Sequence, residues 1–127
     1  MSFDWADFLT FAEALRAEPE SPGPKEAALR SAASRAYYAA FHRALRFASR
    51  EKYVPFHTGE DHKRVQAYFR DWQPRDKTRQ KIATELSRLY DHRRRADYDD
   101  TLFNQPTSLA EQAIAMATSV LKNLGSL

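Results

Sequence analysis

The chain has 127 residues, 43% of them apolar and 13% aromatic, a size and composition that fit one domain around a single core. With three glycines, no cysteine and a bias to Ala, Leu, Arg, Glu and Lys, it speaks against a sheet protein and excludes disulfides and thiolate metal sites. The net charge of +3 is segregated: one Arg against five acids in residues 1–24, 18 Lys and Arg against eight acids in 25–95, and one Lys against four acids in 96–127.

Ser2 is placed to cap a first helix over roughly 2–17, with Asp4 in its first turn and an apolar stripe of Phe3, Ala6, Leu9 (or Phe8), Ala12 (or Glu13) and Leu15. The acidic stretch Met1–Asp7 lacks the basic start of a secretory signal. Three prolines and a glycine make Glu18–Pro24 a loop. A long helix follows over 25–51, with Leu29, Ala33, Ala36, Ala40, Ala44 and Phe47 on one face, and Val54-Pro55 ends it. Its alanines let a neighbouring helix come close. A third helix over 61–72 carries Val65, Tyr68, Phe69 and Trp72 before Pro74 breaks it. A fourth over 75–96 turns Ile82, Leu86 and Leu89 (or Tyr90) inward, and Asp97–Pro106 is a linker. Thr107 or Ser108 caps a last helix reaching Leu124, with Glu111 as capping-box partner of Ser108 and Gly125 as the stop. The expected architecture is all-α, an antiparallel up-and-down bundle of four or five helices spanning residues 1–127 as one domain. No apolar run reaches the roughly 18 residues of a membrane span, so no membrane contact and a cytoplasmic location are expected.

The basic middle suits a phosphate-facing surface, though exposed helices carry such charge for solubility alone. Within it, Arg35 and His42 stand two turns apart on the long helix, about 20° apart around the axis and about 10 Å along it. Arg46 shares their face, which lies opposite Leu29, Ala40 and Phe47, so the pair is expected to meet solvent, another chain or a polar site. A guanidinium holds a phosphate, an imidazole moves a proton near neutral pH, and RNA supplies its own 2′-hydroxyl nucleophile. The plain alternative is an Arg-rich helix that happens to carry a His. Arg94 and Arg95 end the fourth helix, where cations favour the macrodipole. Asp97 and Tyr98 follow; the structural expectation is an ion pair from Asp97 to Arg35 with Tyr98 packed beneath, and the functional one is that Arg94 or Arg95 holds phosphate beside His42. Tyr38, opposite the stripe, is the best candidate for an interface ring. His57 and His62 lack a third well-placed ligand, so no metal site is expected, and no cofactor.

The segments Ser34-Arg35-Ala36-Tyr37-Tyr38-Ala39-Ala40-Phe41-His42, His62-Lys63-Arg64-Val65 and Arg93-Arg94-Arg95-Ala96-Asp97-Tyr98-Asp99-Asp100, between amphipathic first and last helices, resemble the HEPN family (higher eukaryotes and prokaryotes nucleotide-binding domains). The resemblance covers nearly the whole chain and is strongest to small stand-alone prokaryotic members. It implies a HEPN-type bundle, a homodimer, and a minimal nucleotidyltransferase as partner in a toxin–antitoxin-like pair. Active members cut RNA without metal through an Arg and a His with four to six residues between them, a spacing that Arg35 and His42, with six between, meet. On that reading Arg35 holds the scissile phosphate and His42 is the acid/base. Arg46, Arg94, Arg95 and Tyr38 would contact nucleotide or RNA, and Asp97 and Tyr98 would shape the site. The alternative is a non-catalytic dimeric subunit that docks the nucleotidyltransferase.

Overall fold

The computed structural model describes residues 3–18, 20, 24–102 and 105–127. The expected Ser2 cap and most of the Glu18–Pro24 loop lie outside them. Among the described residues there are five helices and no strand: α1 (Asp7–Ala17), α2 (Lys25–Glu51), α3 (Asp61–Asp71), α4 (Lys77–Tyr98) and α5 (Pro106–Gly125). The all-α expectation holds.

The 27-residue α2 is about 40 Å long and is the hub against which the other four helices pack. Ala32, Ala33, Ala36, Ala39, Ala40, Ala44 and Ala48 are fully buried along it, because only small side chains allow approach from several sides at once. The single apolar stripe read from the sequence is therefore too narrow. Burial extends to Ala28, Tyr37, Ala39 and Phe41, while Phe47 is half-buried. Contacts fix the helix directions. Asp4 with Arg43 and Phe8 with Arg35 set α1 against α2; Arg30 with Asp99 and Glu51 with Arg79 set α4 against α2; His92 with Gln112 and Glu85 with Ser119 set α5 against α4. These pairs are antiparallel. The exception to strict up-and-down order is α3. Residues 52–60 return beside α2, so His62 lies against Phe41 and Phe69 against Phe47, and α2 and α3 run in the same sense.

Several ends differ from expectation for local reasons. The side chain of Asp4 accepts from the Ala6 amide (3.0 Å) in a turn ahead of α1, which begins only at Asp7. Asp76 accepts from the Arg79 amide (3.1 Å) and starts α4 at Lys77. At the other end α4 runs on through Asp97 and Tyr98, because Arg30 satisfies its last carbonyls: Nη1 donates to Ala96 O (2.9 Å) and Asp99 O (2.6 Å). The expected Ser108–Glu111 capping box does not form. Pro106 opens α5 and needs no amide partner, and Glu111 pairs with Arg16 of α1 (3.1 Å) instead.

Candidate functional site

Antiparallel packing lays the start of the chain over the Arg35–His42 face of α2. Trp5 stacks on the His42 ring with centroids 3.6 Å apart and planes 16° apart. The Arg35 guanidinium sits between two rings, 4.9 Å from the centre of Phe8 and 5.0 Å from that of Tyr38. The face expected to meet solvent, another chain or a polar site is thus covered by α1 and its preceding turn, and both residues are half-buried. Burial pushes the His42 imidazole down to about 4, assisted by nearby His62, so the ring is neutral at pH 7. Its nitrogens have no hydrogen-bond partner, and Arg35 has no carboxylate partner, among the described residues.

Beside this face lies a cluster that the sequence reading did not single out. The Arg93 guanidinium stands 5.6, 5.7 and 5.2 Å from the ring centres of Tyr37, Tyr38 and Tyr90. Arg93 is 8% exposed, and its Nε makes no hydrogen bond. Tyr37 OH lies 2.5 Å from His62 Nδ1. Burial above all holds the Tyr37 hydroxyl protonated, against the opposing pull of Arg93, so the hydroxyl donates. That assigns the proton of neutral His62 to Nε2. Burial, and next the charge of Arg93, lower the affinity of His62 for a second proton. Tyr38 links the two groups, because its ring meets both Arg35 and Arg93. Two neutral imidazoles, two guanidiniums and a layer of rings therefore share one region of α1, α2, α3 and α4. Such a region can hold an anion and a planar ring.

The remaining expected residues divide. Asp97 does not reach Arg35. It is one turn from Arg93 on the same helix, lies 3.5 Å from its Nη1, and accepts from Ser34 Oγ at 3.4 Å. Tyr98 does not pack beneath; it is 73% exposed. Arg94 and Arg95 do not turn toward His42 but line an open hollow with Asp91, Tyr98 and Asp99, and Arg95 lies 3.9 Å from Asp99. Three consecutive arginines point three ways around a helix, and only Arg93 points inward. Arg46 is half-buried one turn past His42. His92 is tied to Arg88 O (2.8 Å) and Gln112 (2.9 Å). Among the described residues no group of three His, Asp or Glu side chains is placed to hold a metal, and no helix is long and apolar enough to cross a membrane.

Comparison of the chain with protein-family models, with curated proteins and with solved structures gives no match.

Proposed function

We propose that the chain is a HEPN-type protein that binds nucleotide or RNA through the Arg35–His42 face, acts as a homodimer, and partners a minimal nucleotidyltransferase in a toxin–antitoxin-like pair. The observation that carries the binding role is Arg35. Its guanidinium is oriented by the rings of Phe8 and Tyr38, yet no carboxylate neutralises it among the described residues. A pre-oriented, uncompensated guanidinium beside aromatic rings suits a phosphate with its base. The dimer and the partner rest on the resemblance of the Ser34–His42, His62–Val65 and Arg93–Asp100 segments alone.

Metal-independent RNA cleavage is the second reading. It is favoured by one feature: His42 is neutral, the form a general base needs, and its nitrogens are unengaged among the described residues. Against it, Trp5 covers one face of the ring, and burial makes the protonated form that must follow costly.

The test incubates a mixed-sequence RNA with the purified chain in chelator and measures binding and cleavage together, for wild type, Arg35→Ala and His42→Ala. Binding without cleavage, weakened about tenfold or more by Arg35→Ala, supports the first reading. Cleavage abolished by His42→Ala supports the second. A folded wild type that neither binds nor cuts RNA, and binds no mononucleotide, defeats both.

A further inference from the structure

We infer that the outer face of α4, with the hollow it forms against α3, binds a nucleic-acid duplex along its phosphate backbone. The inference goes beyond the reading above and uses none of the residues of the Arg35–His42 face.

The first ground is the distribution of charge. From Asp61 to Tyr98, the span of α3 and α4, the chain has 11 Lys and Arg against six Asp and Glu, and everywhere else it has nine against 11. Around the hollow and the first half of α4 every carboxylate is engaged. Asp71 pairs with Arg70 (3.0 and 3.2 Å), Asp76 caps α4 and flanks Arg79, and Glu85 accepts from Ser119 of α5 (2.7 Å). Further along, Asp61 holds the loop before α3, and Asp97 serves Arg93 and Ser34. The exposed acids without an ion-pair partner, Glu60, Asp91 and Asp100, stand toward the far end of the face, near Tyr90 and Arg94.

The second ground is the row of cations. Lys77, Lys81, Arg88 and Arg95 are all exposed, and they fall within about 40° around the axis of α4 and about 27 Å along it. Arg95 lies 3.9 Å from Asp99, whereas Lys77, Lys81 and Arg88 have no carboxylate partner among the described residues. Lys81 and Glu85 have the spacing of a helical ion pair, yet Glu85 turns to Ser119. Lys77 and Lys81, one turn apart, repel each other instead. A helix charged for solubility alone gains from opposite signs along its face, and this face forgoes them. A polyanion laid along the row relieves the repulsion, and over about 27 Å a duplex presents about eight phosphates on each strand.

The third ground is what flanks the row. The hollow between α3 and α4 is lined by Gln66, Gln80, Thr84 and Ser87 together with Arg70 and Arg88; Ala83 is its one apolar member, and no carboxylate lines it. Amides, hydroxyls and guanidiniums are the groups that contact phosphate and sugar oxygens. A protein partner needs an apolar centre to bury, which the hollow lacks. A single strand needs successive rings on which its bases stack. The row holds no ring, and Tyr90 beside it is half-buried with Lys63 and Arg94 on its face. A duplex turns its bases inward and offers phosphates and sugars, so it is the occupant this chemistry fits.

The test is fluorescence anisotropy with the full chain, across a range of salt, using a labelled RNA duplex, the DNA duplex of the same sequence and an unpaired oligouridylate. The triple variant Lys77→Gln, Lys81→Gln, Arg88→Gln is expected to weaken duplex binding about tenfold or more and to reduce the salt slope by about three. A second triple variant, Lys25→Gln, Arg50→Gln, Lys122→Gln, removes the same charge from exposed positions elsewhere and should keep the wild-type slope within about one. Circular dichroism melting confirms that both variants keep the fold. Arg35→Ala should leave duplex affinity unchanged, so failure of the first reading and failure of this one are told apart. Preference for one duplex identifies RNA or DNA as the occupant. Four results overturn the inference: no duplex binding by wild type, equal losses in the two triple variants, oligouridylate bound as tightly as the duplexes, or displacement of the duplex by polyglutamate at equal charge, which would mark a surface for acidic protein. Duplex binding lost in Arg35→Ala but kept in the Lys77, Lys81 and Arg88 variant would put the duplex on the first face and equally refute it.

Discussion

Acid should loosen this fold through His42, and the size of the effect follows from where the ring sits. Trp5 and Phe41 surround an imidazole whose folded affinity for a proton is lowered from 6.5 to about 4, first by burial and then by nearby His62. The unfolded chain therefore takes up this proton at higher pH than the folded chain. Stability is fully present above pH 6.5 and declines as pH falls through the window down to about 4. At about pH 5 the full shift corresponds to about 2 kcal/mol, and solvent screening of a half-buried ring reduces this to about 1 kcal/mol. His62 shifts in the same direction and adds to the loss. Carboxylates titrate in the same range, so the measurement is a difference. Urea unfolding at about pH 7.5 and about pH 5 is compared for wild type and His42→Phe, which keeps a ring to stack on Trp5. Wild type should lose about 1 kcal/mol more than the variant between the two conditions. Parallel losses, or a smaller loss in wild type, would refute the claim that the imidazole is held neutral by its surroundings.

The two buried arginines of α4 make further predictions. Arg93→Ala should cost about 2 kcal/mol, because the side chain fills the space between three tyrosine rings, whereas Arg93→Met, which keeps the volume and removes a poorly paired charge, should stay within about 1 kcal/mol of wild type. Equal destabilisation by both in urea unfolding would show that charge rather than packing holds the cluster. Glu51→Gln should cost about 2 kcal/mol, since Arg79 is 4% exposed, its Nε and Nη1 make no hydrogen bond, and its other carboxylate, Asp76, stands 3.9 Å away. The double variant Glu51→Gln, Arg79→Met should recover most of that loss, and a single Glu51→Gln variant as stable as wild type would contradict the pairing.

Helix positions were legible because prolines and alanines act locally. Pro24 and Pro55 bracket α2, whose bounds match the expected 25–51. The ends that shifted depend on partners far along the chain: Arg30 prolongs α4 from a position 66 residues earlier, and Arg16 draws Glu111 away from its own helix. Arg93 was legible in principle. Leu86, Leu89, Arg93 and Ala96 fall at helical spacing, as do Arg79, Ile82 and Leu86, and all of them are buried. The basic helix end formed with Arg94 and Arg95 masks a position, Arg93, that the period assigns to the core.

The covering of Arg35 and His42 by α1 had no such local signal. A helical wheel of α2 shows which face is least apolar, but a hub helix has little free face, and only the antiparallel return of α1 brings Trp5 and Phe8 across. What covers Arg35 also decides what the residue can do. An ion pair to Asp97 would have neutralised the guanidinium and made it part of the scaffold. Asp97 instead serves Arg93 and Ser34, and the rings of Phe8 and Tyr38 orient Arg35 through their faces. Ring faces attract a cation without cancelling its charge, so Arg35 is fixed in direction and still carries a full positive charge toward whatever anion reaches it.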